Sequence, residues 1–236
     1  MTASAPAAPA AEPELDCPLC PRLAAFRARN RAAAPHWHNA PVSSFGGFGA
    51  RLLVVGLAPG LKGANRTGRP FTGDYAGELL YSTLLKFGFA EGRYGADPAD
   101  GITLTGARIT NAVRCVPPEN RPTPLETATC RRFLAAEIAA LLELRAVLAL
   151  GSIAHASVLA ALDEKQARFP FGHGGLHRLG SGLILADSYH CSRLNTNTGR
   201  LTAATFHDVF AELVRAIDPL SGSGAREGGG GATPIG

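Results

Sequence analysis

Four short, continuous apolar runs stand out along the chain: Arg51–Gly56 (RLLVVG), Ile109–Val113 (ITNAV), Ala146–Gly151 (AVLALG) and Leu183–Asp187 (LILAD). Unbroken rather than alternating hydrophobicity over so few residues is the pattern of strands covered on both faces, as in parallel sheets. Helical patterns lie between them. Thr123-Pro124-Leu125-Glu126 has the form of a capping box with proline at the first helical position, where its missing N–H costs nothing. The helix that follows places Leu134, Ile138 and Leu141 on one face. Near the end, Leu201, Phe206, Val209, Phe210, Leu213 and Ile217 repeat at helical spacing, as a helix lying on a sheet requires. Alternating strands and helices predict an α/β fold, a three-layer α/β/α arrangement around a central four-stranded, mainly parallel sheet. Ligands of such sheets sit outside the carboxyl ends of the strands, so the loops after Gly56, Val113, Gly151 and Asp187 are where chemistry is expected.

Composition narrows the class. Of 236 residues, 46% are hydrophobic and 18% charged, too apolar for a disordered chain. The longest greasy stretch, Ala146 to Leu162, is broken by Gly151, Ser152, His155 and Ser157, and reads as strand, turn and helix rather than a bilayer span. The first residues (MTASAPAAPAAEPELD) lack a basic start and an apolar core, so the expected address is the cytoplasm. Residues 1–14 are Ala/Pro-rich and 219–236 are Gly-rich; both are expected to be disordered, leaving one domain over 15–218. The net charge of +4 leans toward anionic partners such as nucleic acid.

The loop from Gly56 to Asp74 is the longest candidate. It carries neither the phosphate-loop spacing nor the dinucleotide fingerprint. It does carry Asn65, Arg66, Thr67, Arg69 and Asp74, and a loop of this length inside a compact domain is usually functional. The last strand runs into Ser188-Tyr189-His190-Cys191-Ser192-Arg193-Leu194-Asn195. A histidine just past a buried strand is placed to donate a hydrogen bond into a cleft, although a lone histidine there is more often structural. His36-Trp37-His38 reads as a packed lid over the core in preference to an arm touching nucleic acid. Cys17, Cys20, Cys115 and Cys130 form two pairs that can close one tetrahedral site, and both zinc and a [4Fe-4S] cluster use four cysteines; composition does not choose between them.

Taken together, Gly56-Leu57-Ala58-Pro59-Gly60, the run Asn65 to Asp74, Ile109 to Cys115, and His190 to Asn195 with Thr198-Gly199-Arg200-Leu201-Thr202 resemble the motifs of the uracil-DNA glycosylase superfamily, in its type 5 branch. The resemblance spans Cys17 to Ile217. Gly60-Leu61-Lys62-Gly63 lacks the carboxylate or amide that many superfamily members place there, as type 5 enzymes also do. Cys191 stands where many members carry proline; it is expected to be a structural thiol, not a ligand.

The resemblance implies a DNA repair glycosylase that hydrolyses the N-glycosidic bond of uracil and of other deaminated bases such as hypoxanthine. It implies a base pocket built from Gly56, Ala58, Phe71, Asn111 and His190, with Phe71 stacking on the extruded base and the Asn111 amide matching its edge. Asp74 is expected to position water or stabilise the sugar cation, and His190 to stabilise the departing base. Arg69, Arg193 and Arg200 are expected at phosphates, and Leu194 in the gap left in the stack. The four cysteines would hold a structural [4Fe-4S] cluster, with zinc the less favoured occupant. The partner is damaged, mainly duplex DNA, met by a monomer that touches no membrane. The competing expectation is a lesion-binding module that keeps the fold and cluster but performs no chemistry.

Overall fold

The computed structural model describes residues 12–218. Fourteen elements follow one another: α1 (Pro21–Ala33), β1 (Leu52–Gly56), α2 (Ala64–Thr67), α3 (Tyr75–Lys86), β2 (Ala90–Glu91), β3 (Thr103–Leu104), β4 (Ala107–Asn111), α4 (Pro124–Ala140), β5 (Ala146–Leu150), α5 (Ser152–Ala161), β6 (Leu176–Arg178), β7 (Ile184–Ser188), α6 (Arg193–Asn197) and α7 (Ala203–Ile217). The main sheet has the order β4-β1-β5-β7-β6. β4, β1, β5 and β7 are parallel, and β6 runs antiparallel to β7.

Two corrections to the expected sheet have a common cause. It has five strands, not four, because β6 (Leu-His-Arg) is a half-exposed edge strand with no apolar run to announce it. The strand expected at Ile109–Val113 begins earlier, at Ala107, because it contains Arg108, a charge that hydropathy reads as a break. Arg108 is 5% exposed and donates to Glu137 at 2.7 Å. Glu137 also accepts from the buried Arg114 at 2.6 Å, so one carboxylate on α4 serves two guanidinium groups behind the sheet. Ala112 and Val113 have left the ladder, although their N–H groups still donate to the carbonyls of Gly56 and Leu57.

Alternate strand residues feed opposite layers, as the pleat requires. Leu52, Val54, Ile109, Leu148 and Ala186 pack with α3 and α7 through Leu80, Leu84, Phe206 and Phe210. Leu53, Val55, Val147, Ala149 and Leu185 pack with α4 and α5 through Leu134, Val158 and Leu159. Each of the Leu, Val, Ile and Phe side chains among these, fully buried, stabilises the fold by about 1.5–3 kcal/mol before entropy is counted. The capping box at Thr123 and Glu126 is formed, a feature worth about 1 kcal/mol. Leu201 precedes α7 rather than belonging to it, but is fully buried.

The expected flexible stretches at 1–11 and 219–236 lie outside the described residues. Glu12, expected in the N-terminal arm, is docked: its carboxylate meets Arg114 at 3.1 Å and accepts from the Ser44 N–H at 3.3 Å. No helix among the described residues is long and apolar enough to cross a membrane.

Candidate active site

The parallel strands all point their carboxyl ends at one edge of the sheet. β1 and β4 end in register, Gly56 beside Asn111. The Gly56–Asp74 loop and the turn after β7 converge above that edge on a cleft of about 630 Å³. Ala58, Phe71, Asp74, Asn111, His190 and Arg193 all line it. Gly56 lies beneath: a Cβ there would stand 2.5 Å from Asn111 Oδ1 and 2.6 Å from Phe71 Cζ. Glycine at this position is therefore required by close approach, not by backbone angle.

Phe71 is held in a costly conformation. Its φ is +52°, in the left-handed region that a bulky residue rarely enters. Its carbonyl accepts from Tyr94 Oη at 3.1 Å, and the Pro70 carbonyl accepts from Tyr81 Oη at 2.8 Å. The two tyrosine rings stack at 4.5 Å. The Phe71 ring in turn stacks on His190, centroids 5.7 Å apart and planes inclined by 26°. Two turns remote in sequence thus meet ring to ring in the wall of the cleft.

Arg69, expected at a phosphate, is turned the other way. It is 5% exposed, and its guanidinium forks onto Asp100 with bonds of 2.8 and 2.7 Å while Nε donates to Thr72 Oγ1 at 2.7 Å. It also lies over the Phe45 and Tyr81 rings. Arg69 is the strut that fixes the Pro70–Gly73 turn; four of its five N–H donors are taken inside the protein, and its burial keeps it from DNA. A motif arginine next to a strained turn is read equally well as ligand or brace from sequence; only burial separates them.

Asp74 stands at the N-cap position of α3, the N-terminal end of which carries positive partial charge, although its side chain makes no capping hydrogen bond. A Cβ at Gly63 would collide with its carboxylate, and one at Gly60 would stand 3.1 Å from Oδ2. Those two glycines leave room for the Asp74 carboxylate. Its Oδ1 is buried with no hydrogen-bond partner. Burial raises its pKa above the usual carboxylate value, against the N–H groups of Gly77 and Ala76, which pull it down. Burial pushes the His190 pKa down to about 4, so its imidazole is neutral at physiological pH. Neither the His190 ring nor the Asn111 amide bonds to another described side chain.

Around the mouth, Arg193 lies 5.3 Å over the Tyr75 ring. Leu194 beside it is 73% exposed. Arg200 is exposed and lies 4.2 Å over the Tyr189 ring. Sequence reasoning missed Tyr75, Lys62, Ser192 and Asn120, which also line the cleft. Asn120 follows Glu119 in a turn where both have positive φ, and no local pattern announced that its loop would fold over the sheet edge.

Cys17, Cys20, Cys115 and Cys130 gather on the far side of β4 around a single small void with Leu23, Arg27 and Phe133. None of the four is paired in a disulfide. Arg27 reaches Cys115 Sγ at 3.6 Å, and the Arg114 N–H donates to Cys130 Sγ at 3.3 Å. Burial pushes the Cys20 thiol up to about 11 and the Cys115 thiol up to about 12. Cys191 is fully buried in the core between sheet, α3 and α7, apart from these four.

The model of the uracil DNA glycosylase superfamily matches residues 43–214, and the chain belongs to that superfamily. Among its relatives, it is 45% identical over 205 residues to a type-5 uracil-DNA glycosylase of Thermus thermophilus, covering 84% of this chain and 93% of that protein. It is 40% identical over 201 residues to one of Pyrobaculum aerophilum, covering 83% and 87%. A type-4 uracil-DNA glycosylase of Thermotoga maritima is 39% identical over a shorter stretch, 39% of this chain and 41% of that one.

Proposed function

We propose that the protein is a monofunctional DNA glycosylase of the type 5 kind, hydrolysing the bond between uracil and deoxyribose and leaving an abasic site. The observation that carries this reading is the convergence of Phe71, Asn111, Asp74 and His190 on one cleft from three separate segments of the chain. A base stacked in a duplex is out of reach of any such cleft, so the nucleotide is rotated out, most readily from a mispair. Arg193 and Arg200 hold phosphates at the mouth, and exposed Leu194 enters the vacated gap, offsetting lost stacking.

The extruded base lies against Phe71, and the Asn111 amide, donor and acceptor at once, matches an adjacent carbonyl and N–H on its edge. As the C1′–N1 bond breaks, its electron pair leaves with the uracil. His190, neutral because its pKa is depressed, donates to uracil O2 and stabilises that anion where water is scarce. Asp74 stabilises the sugar cation and orients the water that adds to C1′, then takes its proton. Its unpartnered buried oxygen supports this role, and a lesion-binding module without chemistry leaves that oxygen unexplained. The cleft of about 630 Å³ has room for a purine as well as a pyrimidine, and hypoxanthine is the second expected substrate.

The four cysteines fit a metal group in their chemistry: four thiols, two hydrogen-bond donors aimed at sulfur, and proximity of segments far apart in sequence. The resemblance to the type 5 branch favours the [4Fe-4S] cluster, which would tie α1 to the loop after β4 and to α4 and contribute folding energy. The protein acts as a monomer on duplex DNA in the cytosol.

The test is a base-release panel on duplexes carrying uracil, hypoxanthine or a normal base, with alkali to reveal abasic sites. Uracil release is expected, and His190→Ala and Asp74→Ala are expected to bind the DNA but lose about 10²–10³ in rate. No release of any deaminated base would overturn the reading.

A further inference from the structure

Behind the turn that carries His190, outside the cleft, three side chains from three elements meet. His155 of α5 and Asp187 of β7 are fully buried, and His177 of β6 is nearly so. His155 Nδ1 lies 2.7 Å from Asp187 Oδ1, and its Nε2 lies 2.9 Å from the Phe169 carbonyl. Both partners only accept, so both ring nitrogens carry protons and His155 is an imidazolium. Consistently, although burial works against the charge, the bond and charge of Asp187 raise the His155 pKa. His177 Nε2 occupies the other carboxylate oxygen at 3.1 Å.

These donors are the one set among the described residues in which three potential metal ligands fall within 4.8 Å. The distances decide against an ion. Two ligands on one tetrahedral zinc, each about 2.0–2.1 Å away, stand roughly 3.3 Å apart, whereas 2.7 Å is a charge-assisted hydrogen bond. The cluster is a clamp on Asp187.

Its effect travels along the chain. The Asp187 N–H donates to Gly175 and its carbonyl accepts from Gly174, each at 2.9 Å. The segment between Phe169 and His177 is thereby fastened along the end of β7. That segment carries His173, whose ring stacks on Tyr189 at 4.9 Å and whose Nδ1 accepts from the Tyr189 N–H at 3.3 Å. Tyr189 is the residue before His190 and the one over which Arg200 lies.

We infer that the His155–Asp187–His177 clamp is the positioning device of the catalytic turn, holding His190 against Phe71 at the height where it meets the leaving base. The clamp touches neither substrate nor cleft, and acts through the backbone of Ser188 and Tyr189. It rests on the assignment of His190 proposed above.

His177 is the place to test it, because the edge strand that carries it can lose a side chain without emptying the core. In single-turnover excision by the full-length protein, His177→Ala is expected to lose roughly tenfold to a hundredfold in rate, with DNA affinity changed by less than about threefold. His177→Gln, which can still donate to Asp187, is expected to recover most of that loss. The double variant with His190→Ala should be no slower than His190→Ala alone, since the clamp has nothing left to position. His177→Leu fills the space without a donor and carries the same expectation, so the test survives if the alanine variant does not fold. Wild-type rates in the alanine or leucine variant, or losses that multiply in the double variant, would overturn the positioning role. A fast His190→Ala would instead overturn the assignment of His190, so the two failures are distinct.

Discussion

Gly56→Ala is the sharpest probe of the cleft, because it adds one methyl beneath the side chains that line it. Its backbone angle is not in the left-handed region, so alanine is not strained there; the cost is all contact. The new Cβ would stand 2.5 Å from Asn111 Oδ1 and 2.6 Å from Phe71 Cζ. To regain an ordinary contact of 3.4 Å, the amide and the ring must each withdraw by about 0.8–0.9 Å. Overpacking of this kind costs about 1–3 kcal/mol of stability. A displacement near 1 Å of groups that orient a reacting bond costs up to about 10²-fold in rate. The expected result is therefore a folded protein with a lowered melting temperature and excision slowed by roughly one to two decades. Affinity for undamaged duplex should not change, because the phosphate contacts lie at the mouth. Melting curves and single-turnover excision at saturating enzyme measure both quantities. Excision at the wild-type rate by a stable Gly56→Ala protein would refute the placement of Phe71 and Asn111 in the reacting geometry.

Other perturbations separate brace from ligand. Arg69→Gln should destabilise the fold by about 1.5–3 kcal/mol, since it removes the charged partner of Asp100 and leaves it only the N–H groups of Gly95 and Ile102; chemical denaturation checks this, and the salt dependence of DNA binding should be unaltered. Because Asp74 must be ionised and its pKa is raised, excision should fall as pH drops through that raised value. His190 is already neutral above about 4, so no inflection is expected near the ordinary histidine value of about 6.5. A rate profile with a break there, abolished by His190→Ala, would show that the imidazolium is the donor. Elemental analysis of protein purified without oxygen should find about four iron atoms per chain, and zinc at about one per chain would reverse the choice of cluster.

Much of the architecture was legible in the chain because it rests on local signals. Continuous apolar runs marked the four parallel strands, the Thr123 box marked the start of α4, and the stripe from Phe206 to Ile217 marked α7. The rule that ligands sit at the carboxyl ends of such strands pointed to the loops at Gly56 and His190, and motif resemblance supplied residue roles. What the sequence could not show has one physical reason: a side chain's role depends on which remote groups share its surroundings. Arg108, Arg114 and Glu137 look like surface charges until tertiary packing buries them together. Arg69 looks like a phosphate ligand until Asp100, thirty-one positions away, meets it in the core. Asn120 and Tyr75 reach the cleft only because loops cross it, and His155 and His177 become a clamp only when α5 and β6 pack against Asp187. Local patterning determined the elements and their order. Only the folded chain decided which polar groups are satisfied within the protein and which are left facing the cleft.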